Sequence, residues 1–274
     1  MNIRTAFRHA RRPGLILLLW AALSVWCPPG KVRAYIMPSE QIIALMLGNF
    51  SKFQTLAVSR SIRLITAEDL EVQVVLNEKV WVKSPGYFHS ELTSVTPDGD
   101  PMETALLSER RYTASPFHGL FLTTGKEAVM TLLSEMGVNL ESVAFTRYDG
   151  RIVYRLGNPE ADAPKLLIEK DRFLPRLLSY QLWTDEGRKA VTVRFNDYRP
   201  ADGGWYPYEV AVYTGGNFQE RAVVTELEIN PPIDVSFFEN RKQFKIDSEE
   251  DRIRHVIELL KEKYRQTDSS LHGN

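Results

Sequence analysis

The sequence predicts a mainly antiparallel β fold with a few helices (α+β), on three observations. Between residues 143 and 229, short runs rich in β-forming residues alternate with turn signals such as Asp149-Gly150. In one of these runs Val191, Val193 and Phe195 alternate with polar residues, which is typical of a sheet with one buried face. No segment of helical length interrupts the stretch, so the pattern disfavours a parallel sheet of strand–helix–strand units.

The composition is that of a globular chain and excludes several other classes of protein. Of the 274 residues, 43% are apolar, 25% are charged and one is cysteine, which excludes collagen, a cysteine-rich scaffold, a disordered chain and a multi-span membrane protein. A net charge of −1 gives no electrostatic reason to expect nucleic acid as a partner. The length allows one large β domain or two domains of average size.

Residues 1–34 have the pattern of a secretory signal peptide. They carry six basic residues and no acidic one, and residues 15–26 form an apolar run that only Ser24 interrupts. A small residue, Ala34, follows at a suitable distance, so we expect export to the periplasm and cleavage after Ala34. An uncleaved anchor and acylation of Cys27 remain alternatives, although the tryptophan before this cysteine fits a lipidation site poorly.

The mature chain predicted by this cleavage is acidic and free of cysteine. It has 240 of the 274 residues and six fewer basic side chains, so 28 bases face 35 acids at a net charge of −7. Without disulfides its stability must come from a hydrophobic core. The patterns predict one β domain over residues 35–240 and a C-terminal helical extension over residues 241–274 with a frayed end.

The first elements of the mature chain are a helix and several short strands. Pro38 and Ser39 predict the start of the helix, with Ser39 as its N-cap. The apolar face of this helix comprises Ile42, Leu45, Met46, Phe50 and Phe53. Runs of β-formers then predict strands at residues 62–65, 72–76, 80–83 and 88–92, a turn at residues 97–99 and a further strand at residues 110–113.

Two more helices flank the long β stretch. Thr124 and Glu127 have the spacing of a capping box, and Gly137 stands where the second helix should end. The apolar stripe of the second helix comprises Val129, Leu132, Leu133 and Met136. Ser248 and Asp251 predict the cap of a last helix, whose stripe comprises Ile253, Val256, Ile257, Leu260 and Tyr264.

The sequence lacks motifs for catalysis, metal binding and phosphate binding. The histidines that remain after cleavage, which are His89, His118, His255 and His272, do not have zinc-type spacing. There is no Gly-x-Ser-x-Gly elbow and, once Cys27 is removed, no thiol nucleophile. The glycine pairs at 203–204 and 215–216 fit hairpin turns better than phosphate loops. We therefore predict a protein that is not an enzyme and that uses no metal and no cofactor.

Aromatic and aliphatic side chains are abundant on the predicted strands. They can pack as an ordinary core, or they can line an apolar cavity inside a curled sheet that helices cover. The predicted wall of such a cavity comprises Trp81, Phe88, Tyr180, Leu182, Val191, Val193, Phe195 and Tyr213. The second helix, with Val129, Leu132, Leu133 and Met136 facing the sheet, is the predicted lid.

The segment EKVWVKSPGYF at residues 78–88 resembles the second-strand signature of LolA-like periplasmic lipoprotein carriers. Later segments follow in the order that these proteins have them, namely IEKD at 168–171, FLP at 173–175, VRFNDY at 193–198, DGGWYP at 202–207 and LEINPPID at 227–234, with Phe237 and Phe238. The resemblance covers residues 39–240 and includes the upstream helix that leads to Phe53.

This resemblance implies an incomplete, half-open antiparallel β-barrel covered by helices, as in the LolA, LolB and RseB-type fold. Such a protein binds the acyl chains of lipoproteins or lipids in an apolar interior and carries them, like a chaperone, through the periplasm. The resemblance thus implies transport in outer-membrane lipoprotein sorting by a monomer. Its partners would be an inner-membrane lipoprotein-release machinery or an outer-membrane acceptor. Burial of an acyl chain is favourable by about 0.8 kcal/mol per methylene and needs no catalytic residue.

The sequence departs from the family pattern at two places. The arginine that precedes the proline of the signature, and that latches the lid in the family, is replaced by Ser84, whose hydroxyl cannot reproduce the hydrogen bonds of a guanidinium. The helix predicted after Phe238 is additional to the family core. A second function therefore stays open, in which the protein is an RseB-like envelope-stress sensor that binds a lipid or protein signal.

Overall fold

The computed structural model describes residues 36–65, 73–84, 87–95, 101–109, 120–121, 125–184 and 187–239. The predicted signal peptide, the histidine at 118, the strand predicted at 110–113 and the C-terminal extension over residues 241–274 lie outside the described residues. Within these ranges, no helix is both long enough and apolar enough to cross a membrane.

In the part of the chain that the structure describes, eleven antiparallel strands form one sheet, which confirms the predicted fold class. The strands are β1 (Thr55–Ile65), β2 (Gln73–Lys83), β3 (Tyr87–Val95), β4 (Pro101–Glu109), β5 (Val143–Tyr148), β6 (Arg151–Gly157), β7 (Lys165–Glu169), β8 (Pro175–Thr184), β9 (Gly187–Ala201), β10 (Gly204–Thr214) and β11 (Asn217–Ile229). Their order is β4-β3-β2-β1-β11-β10-β9-β8-β7-β6-β5. Strands β4 and β5 lie at the two edges, so the described sheet is open, as expected for a half-barrel.

All the ladders join strands that are consecutive in the chain, except the ladder between β1 and β11, and the consecutive strands β4 and β5 do not pair with each other. Local turns explain this order, since Asp149 and Gly150 adopt φ values of 49° and 73°, the positive angles that a two-residue hairpin turn requires. Strand β4 was not predicted, because residues 101–109 contain few β-forming residues.

Within the described ranges three helices accompany the sheet, namely α1 (Ser39–Gly48), α2 (Lys126–Glu135) and α3 (Ser236–Glu239). Two details differ from the prediction for α1. Ser39 is the first helical residue and no side chain caps the helix, because Pro38 occupies the N-cap position. Leu45 is 41% exposed, so the buried face is narrower than the apolar pattern suggests. Phe50 and Phe53 follow the helix in a turn and are fully buried.

Helix α2 begins after Gly125, which occupies the N-cap position without a side-chain cap, and Thr124, the predicted capping partner of Glu127, lies outside the described residues. Its end is the predicted one. Gly137 adopts a φ of 81° and donates its backbone N–H to the Ser134 carbonyl, while Val138 donates to the Leu133 carbonyl. This arrangement satisfies the last carbonyl groups of the helix, as a glycine-terminated helix usually does.

The main core lies on the face of the sheet that α1 and α2 cover, which we call the inner face. Residues of both helices and of nearly all strands join there in one buried apolar cluster. A smaller cluster of Val153, Leu167 and Leu177 lies on the other face, the outer face. The chain after α1 approaches β10 closely at Gly204. A side chain at this position would collide with the Asn49 carbonyl and the Phe53 ring, so the close approach requires glycine. Asn49 also donates from Nδ2 to the Arg172 carbonyl at 2.8 Å.

Candidate functional site

The centre of the inner face is built by strands β8, β9 and β10. In the ladders, Tyr180 is opposite Val191, and Val193 is opposite both Leu178 and Val212, so these side chains share one face. All five are buried. The structure therefore brings together most of the predicted wall, with Phe88 and Phe195 in the same buried cluster.

An aromatic group connects this wall to the segment after α1. The ring of Phe121 lies 5.0 Å from that of Phe50, 5.4 Å from that of Phe195 and 5.7 Å from that of Tyr206. Edge-to-face contacts of this kind are favourable beyond the area they bury. Sequence reasoning missed Phe121, because it lies in a short loop segment without helical or strand periodicity.

The predicted lid residues belong to α2 or directly follow it. Val129, Leu133 and Met136 are buried, Leu132 is half-buried, and α2 contacts α1. The first turns of the two helices are connected by Lys126 Nζ and Glu40 Oε2 at 3.7 Å. This pair is largely exposed and contributes at most about 1 kcal/mol, so the apolar contacts hold α2 in place.

Of the three other predicted wall residues, Trp81 and Tyr213 are placed differently, and the side chain of Leu182 lies outside the described part of the structure. Trp81 alternates with the buried Val80 and Val82 and lies on the outer face, where its ring is 5.4 Å from His89 and 5.3 Å from Phe237. Tyr213 also lies on the outer face, with the guanidinium of Arg194 4.4 Å from its ring centre. Leu182 occupies the position of β8 opposite Lys189.

Ser84, the predicted latch position, directly follows β2. Its backbone N–H donates to the Gln54 carbonyl at 2.9 Å, and the neighbouring Lys83 donates from Nζ to the Ile233 carbonyl at 2.6 Å. Both contacts connect the end of β2 to segments that flank β1 and β11. The end of β2 is therefore connected both to the segment before β1 and to the segment between β11 and α3.

A polar group is buried within the apolar inner face. Arg60 and Glu78 are directly opposite each other in the β1–β2 ladder, and Arg60 Nε donates to Glu78 Oε2. Ser90 donates from Oγ to the other carboxylate oxygen at 2.6 Å. The side chains of Arg60 and Glu78 are 6% and 0% exposed. Burial, with a smaller opposing effect of Arg60, raises the pKa of the nearby Tyr206 to about 12.

A second buried carboxylate, Glu220, lies on the same face of the sheet. It is opposite Val212 in the β10–β11 ladder, and it is buried. Burial and the negative charge of Glu220 raise the pKa of Tyr180 well above its ordinary value. Tyr180 therefore stays a neutral hydroxyl, which suits a wall that is otherwise apolar.

No three histidine, cysteine, aspartate or glutamate residues come close enough to hold a metal ion in the described part of the chain. His89 lies on the outer face, where its Nε2 is 3.4 Å from Glu91 Oε1. An open pocket of about 390 Å³ lies between the start of α1 and the start of β5. Its lining comprises Ile36, Met37, Pro38, Ser39, Glu40, Leu140, Glu141 and Val143.

Comparison with known proteins found similar solved structures but no match by sequence. No protein-family model matches the sequence, and no curated protein matches it. Similar solved structures include a LolA superfamily protein from Nitrosomonas europaea, at a TM-score of 0.45 and 10% identity over 74% of this chain and 98% of that one. The chain resembles the LolA superfamily in fold.

Two further similar structures have comparable values. A domain named for outer membrane lipoprotein sorting, from Vibrio parahaemolyticus, has a TM-score of 0.43 and 11% identity over 73% of this chain and 95% of its own. A DUF1329 family protein from Desulfovibrio piger has a TM-score of 0.43 and 12% identity over 74% of this chain and 96% of its own. All three similarities are similarities of fold at low sequence identity.

Proposed function

We propose that this protein binds acyl chains of lipids or lipoproteins inside its curled sheet, in the periplasm, and carries them without catalysing a reaction. The observation that carries the proposal is the continuous apolar cluster between the inner face of the sheet and helices α1 and α2. The signal-like segment at residues 1–34 supports export, and the likeness to a lipoprotein-sorting domain fits a role in outer-membrane lipoprotein sorting.

An acyl chain can reach the inner face only when the lid moves. Exposing Val129 and Leu133 costs about 1.5–3 kcal/mol for each side chain. An acyl chain of about 14 methylenes gains about 11 kcal/mol on full burial, at about 0.8 kcal/mol per methylene. Acyl burial is therefore large enough to offset the opening of α2 and to leave a net affinity.

The lid in this proposal is held by apolar packing and not by an arginine latch. Ser84 occupies the latch position, and its backbone N–H is already used by the Gln54 carbonyl. Among the described residues, Val129, Leu133 and Met136 belong to the buried cluster, and Met130 and Leu132 pack against it. Opening then depends on how well the cargo replaces these apolar contacts.

The direct experiment examines the protein as it leaves the cell envelope. The full gene is expressed, the processed protein is purified from the periplasm, and its solvent extract is analysed by mass spectrometry. We expect acyl lipid or an acylated lipoprotein in a molar ratio near one. Intact-mass measurement of the same sample shows whether the chain begins at Tyr35 or at an acylated Cys27.

Adjacent leucines of β7 provide matched variants for a binding assay with a fluorescent fatty acid. Leu166 belongs to the inner cluster and Leu167 to the outer one, so Leu166→Ala and Leu167→Ala remove the same atoms from opposite faces. Losing contact with about one methylene of the probe should weaken binding about fourfold in Leu166→Ala. Leu167→Ala should leave the affinity unchanged.

Two results would contradict the carrier proposal. One is an extract without acyl lipid from a protein that also fails to bind the fatty acid. The other is equal weakening by both leucine variants, because binding would then follow stability and not the inner wall. Capture of a periplasmic protein segment by a lipid-free preparation would favour the sensor alternative.

A further inference from the structure

Two large apolar side chains are exposed at the edge of the sheet formed by β5 and β6. Phe145 is 39% exposed and Ile152 is 45% exposed. In the ladder, Phe145 is opposite Tyr154 and Ile152 is opposite Arg147, so both apolar side chains share a face. The Phe145 ring packs 4.7 Å from that of Tyr154, which in turn stacks on Phe173. Rigid strands therefore present this apolar pair to solvent.

Basic side chains adjoin the two exposed residues. Lys170 Nζ lies 5.8 Å from the centre of the Phe145 ring. The backbone N–H of Lys170 donates to the Ile152 carbonyl at 3.1 Å, which fixes the lysine beside the pair. Arg147, opposite Ile152 in the ladder, is exposed. Both apolar side chains thus have a cation as a direct neighbour.

The charge around this edge is positive, although the chain as a whole has an excess of acids. The basic residues are Arg147, Arg151, Lys170, Arg172 and Arg176, and the acidic ones are Asp149, Glu169 and Asp171. Glu169 is buried, accepts hydrogen bonds from Arg172 and Arg176, and lies 3.4 Å from Arg151. One carboxylate is therefore shared by three guanidinium groups, and because Glu169 is opposite Val153 this cluster adds its positive charge on the outer face, while Arg147 and Lys170 supply the charge beside Phe145 and Ile152.

This combination favours an anionic lipid surface over an acidic protein as the partner. At a bilayer interface, exposed aromatic and aliphatic side chains enter the boundary between headgroups and acyl chains, and adjacent Lys and Arg side chains approach the phosphates. The remaining surface carries the excess acid, so an anionic bilayer repels it and turns the basic edge towards itself.

We propose that the β5–β6 edge docks the protein on anionic phospholipid, with Phe145 and Ile152 in the headgroup boundary and Arg147 and Lys170 on phosphate groups. Val143, which lines the pocket at the start of α1, is two residues from Phe145 on the same face of β5. Docking would therefore bring this pocket to the bilayer. The proposal does not depend on cargo binding, because the surface would bind vesicles whatever the inner face holds.

Vesicle flotation tests the docking surface with the whole protein. The full gene carries Cys27→Ala, so that no acyl group can anchor the chain, and the processed protein is purified from the periplasm. We expect binding to vesicles of phosphatidylcholine with phosphatidylglycerol, which weakens as salt is added, and no binding to phosphatidylcholine alone. Arg147→Gln and Lys170→Gln should each lower the partition coefficient about fivefold. The double variant Phe145→Ser/Ile152→Ser should lower it more than tenfold.

Matched controls come from equally exposed positions elsewhere on the sheet. Val223→Ser removes an apolar side chain of β11 that is 39% exposed, and Lys79→Gln removes an exposed cation of β2. Both substitutions should leave the partition coefficient unchanged. The urea concentration at the midpoint of unfolding, measured for each variant, tests whether that variant is folded. Equal binding to neutral and anionic vesicles, no binding to either, equal losses in the controls, or binding of an acidic peptide without vesicles would each overturn the proposal. Acyl-lipid extraction and fatty-acid binding report on the cargo separately.

Discussion

Removing either member of the buried Arg60–Glu78 pair should destabilise the protein far more than removing an exposed ion pair. In Arg60→Met, the Glu78 carboxylate stays buried and keeps only the Ser90 hydroxyl among the partners described above. In Glu78→Leu, the guanidinium stays buried without its carboxylate. Because the two side chains are 6% and 0% exposed, solvent cannot replace the lost partner. The expected cost is about 3–5 kcal/mol for each single variant.

The double variant Arg60→Met/Glu78→Leu should be much more stable than the sum of the single effects predicts. The double substitution removes both buried charges, and with them the cost of keeping the charges away from water. The free energy of unfolding should therefore return to within about 1 kcal/mol of the parent value or exceed it. A cost of about 3–5 kcal/mol is a large part of the total stability of about 5–15 kcal/mol, so the single variants should unfold at clearly lower urea concentrations.

Urea unfolding followed by circular dichroism measures these free energies for the parent, both single variants and the double variant. Arg221→Met provides the control, because Arg221 pairs with Glu209 on a partly exposed site and its loss should cost less than about 1 kcal/mol. The reasoning would be refuted by single variants that cost as little as Arg221→Met, or by a double variant whose cost equals the sum of the two.

Further predictions concern backbone packing and pH. Gly204→Ala should lower the free energy of unfolding by about 1–3 kcal/mol, since the new methyl group meets the Asn49 carbonyl. Gly48→Ala should raise it by about 0.5–1 kcal/mol, because that helical position has open space. Burial alone would raise the pKa of Glu169, but hydrogen bonds from Arg172 and Arg176 outweigh burial and lower it. Glu169 therefore stabilises the fold above its unfolded-state pKa of about 4.3, and this contribution is lost as the pH falls through the lower folded-state pKa. Unfolding free energies at pH 7 and pH 3 should show a smaller decrease in Glu169→Gln than in the parent.

Turn residues and the alternation of apolar and polar side chains predicted the antiparallel meander well. The choice of cavity-wall residues by their side-chain type was less reliable. The Asp149-Gly150 turn and the alternation around Val193 depend on neighbours in the chain, and the sheet contains both as predicted. Trp81 was selected for its aromatic ring, but it alternates with Val80 and Val82, and consecutive strand residues face opposite sides. Parity along the strand would have placed it on the outer face.

Other features depend on contacts that no short sequence window contains. Phe121 became part of the aromatic group because segments far apart in the chain converge on it. The Arg60–Glu78 pair follows from the register between β1 and β2, and residues 66–72 between these strands carry no two-residue turn signal that would define it. The close approach at Gly204 depends on where the end of α1 meets β10.

The pairing of β1 with β11 has a consequence for how the chain folds. Leu56 pairs with Ile229, 173 residues later, so the middle of the sheet forms only after almost all of the β domain is present. Closing so long a loop is entropically costly and slow compared with forming a hairpin. A nascent chain that lacks β11 leaves β1 with a single neighbour, β2, and cannot complete the central ladder. The topology thereby makes β11 the strand that joins the two halves of the sheet, so a truncation before residue 217 should leave the halves unjoined.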